Sequence, residues 1–166
     1  MASVTLRGKT QHTSAELPQV GDSAPDFLLT TSSLKDISLA KFPGIKKLLY
    51  IVPSLDTPVC ANTTVALEEK MRDFPGAKAL VISADLPFAM GRFCGAKKFK
   101  NVLPLSIFRA KEFAEDYGVL LIDGPLAGLT ARAVLVIDEQ DTVVYSHLVE
   151  EISDEPDFES ALRFLA

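Results

Sequence analysis

A chain of 166 residues, 48% of them hydrophobic, is long enough to bury one sizeable core and reads as a single domain over 1–166. Its net charge of −5 and the lack of any lysine or arginine tract argue against a nucleic-acid binder, and no apolar run approaches the ~20 residues that cross a bilayer. Arg7, Lys9, His12 and Glu16 interrupt the first twenty residues, so no secretory leader is expected and the default address is the cytoplasm.

Residues 3–8 alternate as a short strand does, and 9–20 reads as a turn with a weak partner strand, an N-terminal hairpin. Residues 20–25 are loop, 26–30 begin a strand, and 34–39 alternate so as to pair with it. The run 48–52 is a buried strand. It delivers Pro53-Ser54-Leu55-Asp56-Thr57-Pro58-Val59-Cys60 to the end of a sheet, and 61–72 continues as helix. Thr57 followed by Pro58 signals a helix start, a hydroxyl cap and then proline at the first helical position. Residues 79–83 form a second buried strand, 85–98 a loop and helix, and 102–108 a third strand. Pro104 within that strand predicts an edge or a bulge. A short helix over 111–117 ends at Gly118. Residues 131–137 and 142–148 flank Asp138-Glu139-Gln140-Asp141 as a hairpin, and 156–165 is a closing amphipathic helix. Strands alternating with helices, ending in an antiparallel hairpin, predict an α/β fold: a central mixed sheet flanked by helices in a thioredoxin-like arrangement.

Cys60 falls in the first turn of its helix, where unpaired N–H groups and the helix dipole favour a thiolate over a thiol. It is a candidate nucleophile, against the bland alternative of a small buried hydrophobe. Position 63 is Thr, so the Cys-x-x-Cys of a disulfide shuffler is absent and a peroxidase fits better. Thr57 is either a cap alone or also a hydroxyl that holds a peroxide oxygen against the sulfur. Pro53 either ends a strand or fixes the loop. Cys94, 34 positions after Cys60, has three readings. A permanent bridge would stabilise by roughly 4 kcal/mol, but cysteines on separate helices seldom meet without backbone movement. A resolving thiol that meets Cys60 after local unwinding is preferred, with a core cysteine packed beside Phe93 as the alternative. Arg132 opens an otherwise apolar strand. It is either a strand-end charge reaching water or a guanidinium that stabilises the thiolate. Phe88, Met90 and Phe93 are core at helical spacing or the apolar mouth of a substrate cleft. Asp56 and Asp85 read as caps without a catalytic role. The two histidines have no ligand-like spacing to the cysteines, so neither metal nor organic cofactor is expected.

Pro53-x-x-x-Thr57-x-x-Cys60 resembles the active-site motif of peroxiredoxins. The segment from Ser83 to Cys94, with Asp85, Pro87, Phe88, Arg92 and Phe93, resembles the resolving-cysteine segment of the bacterial thiol peroxidases, the atypical two-cysteine peroxiredoxins. Asp123-Gly124-Pro125-Leu126 and Ala131-Arg132-Ala133-Val134 match them too, so the similarity covers essentially the whole chain. The resemblance implies a thioredoxin-like fold, Cys60 as peroxidatic and Cys94 as resolving cysteine, and an intramolecular disulfide between them. It also implies Thr57, Arg132 and Pro53 as active-site residues, hydroperoxide substrates, thioredoxin as reductant and a homodimer. Met90 departs from the pattern, which more often has a polar residue such as Gln. The rival functions are a general disulfide oxidoreductase and a redox-switched binding or chaperone module.

Overall fold

A computed structural model describes residues 1–166. The chain opens on a two-stranded hairpin, β1 (Ser3–Leu6) and β2 (Lys9–His12), paired antiparallel with Leu6 opposite Lys9. Arg7 (φ 52°) and Gly8 (φ 81°) are both left-handed, as a two-residue turn of this kind requires. The short strands β3 (Leu29–Thr30) and β4 (Asp36–Ile37) follow, then β5 (Lys47–Ile51), α1 (Pro58–Lys70), β6 (Lys78–Ser83), α2 (Pro87–Lys97) and β7 (Val102–Ser106). The last third of the chain supplies α3 (Glu112–Asp116), β8 (Ala133–Ile137), β9 (Val143–Leu148) and α4 (Phe158–Leu162).

Seven strands form one mixed sheet in the order β4-β3-β7-β6-β5-β8-β9. β5, β6 and β7 run parallel, joined by crossovers through α1 and α2, whereas β8 and β9 are antiparallel. This is the mixed sheet flanked by helices, with an N-terminal hairpin, that the pattern predicts. The central strands are buried on both faces, and their period of two sorts side chains into two cores. Leu49, Ile51, Leu80, Ile82, Leu135 and Ile137 point to one face, where Phe113 and Tyr117 from the α3 segment cover them. Leu48, Tyr50, Val81, Val134 and Val136 point to the other, under Leu67 of α1, Met90 of α2 and Phe158 and Leu162 of α4. Cys60 belongs to this second layer.

The hairpin is tied to the far end of the chain. Thr5 N–H donates to Glu150 O (2.7 Å) and Ile152 N–H to Thr5 O (2.8 Å). Glu151 Oε1 accepts from Gly8 N (2.9 Å) and Thr5 Oγ1 (3.0 Å), and Val4 packs with Leu121, Ala131 and Ile152.

Pro104 corrects one expectation. β7 is not an edge strand, since it lies between β3 and β6, with Pro104 in register opposite Val81. It is tolerated because β3 meets β7 only at Thr30 and Ser106, which leaves the rest of that side of β7 without a ladder to break.

Candidate active site

β5 ends at Ile51, and the chain turns through Val52 and the buried Pro53 toward α1. Three side chains elsewhere hold this connection. Thr130 Oγ1 donates to Val52 O at 2.7 Å. Asp85, just past β6, accepts from Ser54 Oγ (2.6 Å), Leu55 N (2.7 Å) and Ser83 Oγ (2.7 Å). Ser106 Oγ in turn donates to the Asp85 carbonyl at 2.5 Å. Asp85 is therefore more than a cap. It locks the loop before α1 to the ends of β6 and β7, a role no local pattern announces.

Thr57 occupies the N-cap position with extended backbone and Pro58 opens the helix, as predicted. The hydroxyl, however, makes no cap hydrogen bond. It donates to Ser54 O at 2.9 Å, inside the loop. The first helical hydrogen bond runs from Ala61 N to Thr57 O, so the Val59 and Cys60 amides precede the helical ladder. Cys60 sits in that turn, fully buried and in no disulfide. Its carbonyl accepts from Thr64 Oγ1 at 2.6 Å.

Arg132 lies just before β8, and β8 pairs with β5 so that Ala133 faces Ile51. This register carries the side chain across the sheet end to Cys60. The expectation of a strand-end charge reaching water fails: Arg132 is 2% exposed. Its Nε donates to Ile152 O (2.9 Å) and one terminal nitrogen to Tyr50 OH (2.6 Å). Cys60 is close enough to the same guanidinium to raise its pKa, while the hydrogen bonds of Arg132 go to Ile152 and Tyr50. Burial works against charge on Arg132, but the adjacent Tyr50 and Cys60 hold its pKa above the ordinary value. Arg132 and Cys60 are both withdrawn from water, and an attraction between opposite charges is worth more there than at a surface.

Cys94 is in the third turn of α2, half-buried, and likewise in no disulfide. Burial, and after it the nearby Glu68 carboxylate, pushes its thiol up to about 11. Glu68 is itself 6% exposed, on α1 two turns beyond Cys60. It accepts from Lys100 N (2.5 Å) and from Asn101 N (2.8 Å), which anchors the exit of α2 to α1. The sequence carries no signal for this contact, because the two sides are 32 positions apart.

The three apolar candidates part company. Phe88 is 70% exposed, and with Phe93 and Arg92 it lines a groove of about 640 Å³ closed on the other side by Leu55 and Asp56. Phe93 also meets Phe99 edge-on, ring centroids 5.6 Å apart. Met90 is fully buried in the same layer as Cys60 and lines no part of the groove, so this departure from the family pattern is a core residue. No group of histidine, cysteine and carboxylate side chains is arranged to hold a metal.

Known proteins were compared with this chain. The redoxin family model matches residues 19–162. The chain is 50% identical over 165 residues to a thiol peroxidase of Mycobacterium tuberculosis, covering 99% of both chains. Its structure superposes on a peroxiredoxin-like protein from Aquifex aeolicus with a TM-score of 0.94 at 36% identity, covering 99% of this chain and 96% of that one. It superposes on a thiol peroxidase from Chromobacterium violaceum with a TM-score of 0.91 at 26% identity, over 98% and 94%. From these similarities and a cysteine-led helix set at the end of a mixed sheet, the chain belongs to the redoxin family, among its thiol peroxidases.

Proposed function

We propose that this chain, a single domain over 1–166, is a thiol-dependent peroxidase that reduces hydroperoxides through Cys60 and Cys94. The observation that supports the reading is the buried Arg132 side chain, linked through Tyr50 and Thr63 to the first turn of α1 that carries Cys60. The Cys60 thiolate attacks one peroxide oxygen, the S–O bond forms as the O–O bond breaks, and the departing alkoxide takes a proton to leave as ROH. Arg132 and the Val59 and Cys60 amides stabilise the charge that moves onto oxygen. Thr57, whose proton is committed to Ser54 O, keeps its oxygen lone pairs to accept the peroxide hydrogen. Pro53 and the loop locked by Asp85 hold these groups in place.

Cys94–SH then condenses with Cys60–SOH, releasing water and leaving an intramolecular disulfide. A fully buried Cys60 and a Cys94 on another helix support a local opening of the first turn of α1, of α2, or of both. The raised pKa of Cys94 keeps it a thiol at neutral pH, so the two sulfurs do not compete for peroxide. Thioredoxin attacks the disulfide and returns both thiols, with no metal or organic cofactor. The groove edged by Phe88 and Phe93 suits the carbon chain of an alkyl hydroperoxide. The enzyme works as a homodimer in the cytoplasm; no helix is long and apolar enough to cross a membrane.

The test is peroxide-dependent NADPH oxidation with thioredoxin and its reductase. Cys60→Ser abolishes peroxide consumption, and Cys94→Ser keeps the first turnover but loses thioredoxin-supported cycling. Full activity in Cys60→Ser would reject the assignment. Disulfide exchange without peroxide consumption would favour a general oxidoreductase, and a single oxidation without turnover a redox-switched module.

A further inference from the structure

Arg132 could pack beside Cys60 in many orientations, since a long side chain has several rotamers and its charge alone does not aim it. Something must fix the fork. The Ile152 carbonyl takes Nε, and the remaining buried partner is Tyr50, a fully buried side chain of β5. Its hydroxyl is 2.6 Å from Arg132 and also 2.6 Å from Thr63 Oγ1. Thr63 Oγ1 lies 2.7 Å from the Val59 carbonyl.

Donor counting gives this chain one direction. A guanidinium only donates, so the Tyr50 oxygen accepts from Arg132. A carbonyl only accepts, so the single Thr63 proton goes to the Val59 carbonyl at 2.7 Å, with the Cys60 carbonyl at 3.3 Å beside it, and Thr63 accepts the Tyr50 proton. Burial pushes the Tyr50 phenol up, with Arg132 working against it, and the group remains an O–H donor at neutral pH. The result is a relay from Arg132 through Tyr50 and Thr63 to the carbonyl next to Cys60. The Tyr50 ring is braced by Phe158 edge-on, centroids 5.0 Å apart at 85°.

We propose that Tyr50 and Thr63 are positioning residues that aim the Arg132 guanidinium at Cys60 by fastening it to the helix turn that carries the sulfur. This rests on the roles given above to Cys60 and Arg132. Neither residue touches the reacting atoms. Their effect is to remove the rotamer freedom of the arginine before peroxide arrives, which is preorganisation rather than chemistry.

Tyr50→Phe keeps the ring and its contact with Phe158 while deleting the relay. In the full chain assayed with cumene hydroperoxide, thioredoxin and thioredoxin reductase, kcat/KM for peroxide falls about tenfold, ~1.4 kcal/mol of transition-state stabilisation. In a Cys94→Ser background, the pH midpoint of Cys60 alkylation by iodoacetamide moves upward in the same variant. Thr63→Val shifts both readouts the same way, and Thr63→Ser, which keeps the hydroxyl, restores them. A Tyr50→Phe chain with parental peroxide kcat/KM and midpoint, beside an inactive Cys60→Ser, would overturn the positioning role alone. A midpoint unmoved by both Tyr50→Phe and Thr63→Val overturns it as well, whatever the activity. An active Cys60→Ser would overturn this role together with the reading of the site.

Discussion

Glu68→Gln is the perturbation that probes the link between the two cysteine-bearing helices. The carboxylate accepts from the Lys100 and Asn101 amides at 2.5 and 2.8 Å, and hydrogen bonds to a charged group contribute ~1.5–3 kcal/mol each. Glutamine preserves the packing but removes the charge and turns an N–H toward one of those amides. The cost is about 2 kcal/mol, and at about 2–4 °C per kcal/mol for a chain of this size the melting temperature falls by about 4–8 °C. A second effect has the opposite sense. Burial is the larger cause of the raised Cys94 pKa and Glu68 the smaller, so removing the anion brings the thiol down from about 11 without normalising it. At pH 8.5 a thiol with that pKa is about one part in three hundred ionised, and alkylation of Cys94 in a Cys60→Ser background rises by about two- to tenfold. Thermal unfolding and a pH series of alkylation rates measure the two effects separately. A melting temperature within a degree of the parent would refute the anchoring role. Acceleration equal at every pH, with the midpoint unmoved, would refute the electrostatic one and leave local opening as the cause.

Asp85→Ala frees Ser54 and Leu55 together, so it lowers peroxide kcat/KM by about tenfold or more while Cys94→Ser-type cycling defects stay absent; parental activity would show that the loop keeps its shape unaided. The Cys94 thiol also makes stability depend on alkaline pH. Its folded pKa of about 11 exceeds its ordinary 9.0, so its contribution is complete below pH 9 and is lost as pH rises toward 11. The difference in urea midpoint between parent and Cys94→Ser should change across that window, and a constant difference would contradict it. Glu151 acts at the other end of the scale: the Ser153 hydroxyl first, then the Ser153 and Gly8 amides, hold it at about 2, below its ordinary 4.5. Its contribution is present above pH 4.5 and is lost as pH falls toward 2, so Glu151→Gln flattens acid unfolding in that range.

What can be read from residue order alone is local. Thr57-Pro58 ahead of Cys60 announces a helix start, and the runs 48–52, 79–83 and 131–137 announce buried strands because each is uninterrupted and apolar. The environment of the sulfur is not local. Arg132 is buried because Tyr50 and Ile152, 82 and 20 positions away, supply acceptors, and a lone charge opening an apolar strand gives no sign of them. Asp85 reads as a cap and Glu68 carries no distinguishing sign until the crossovers return their amide partners to them. Thr57 shows the same limit at short range. Its position follows from sequence, yet its proton goes to Ser54 O because the loop folds back under it. Met90 is core because the sheet surface beneath α2 is apolar, which the helical spacing of Phe88, Met90 and Phe93 does not rank.

The Ile152 carbonyl that takes Arg132 Nε belongs to the segment clasped by the first strand, so the opening dozen residues act as an outrigger for the guanidinium. Removing the strand that clasps this segment would therefore be felt at the sulfur.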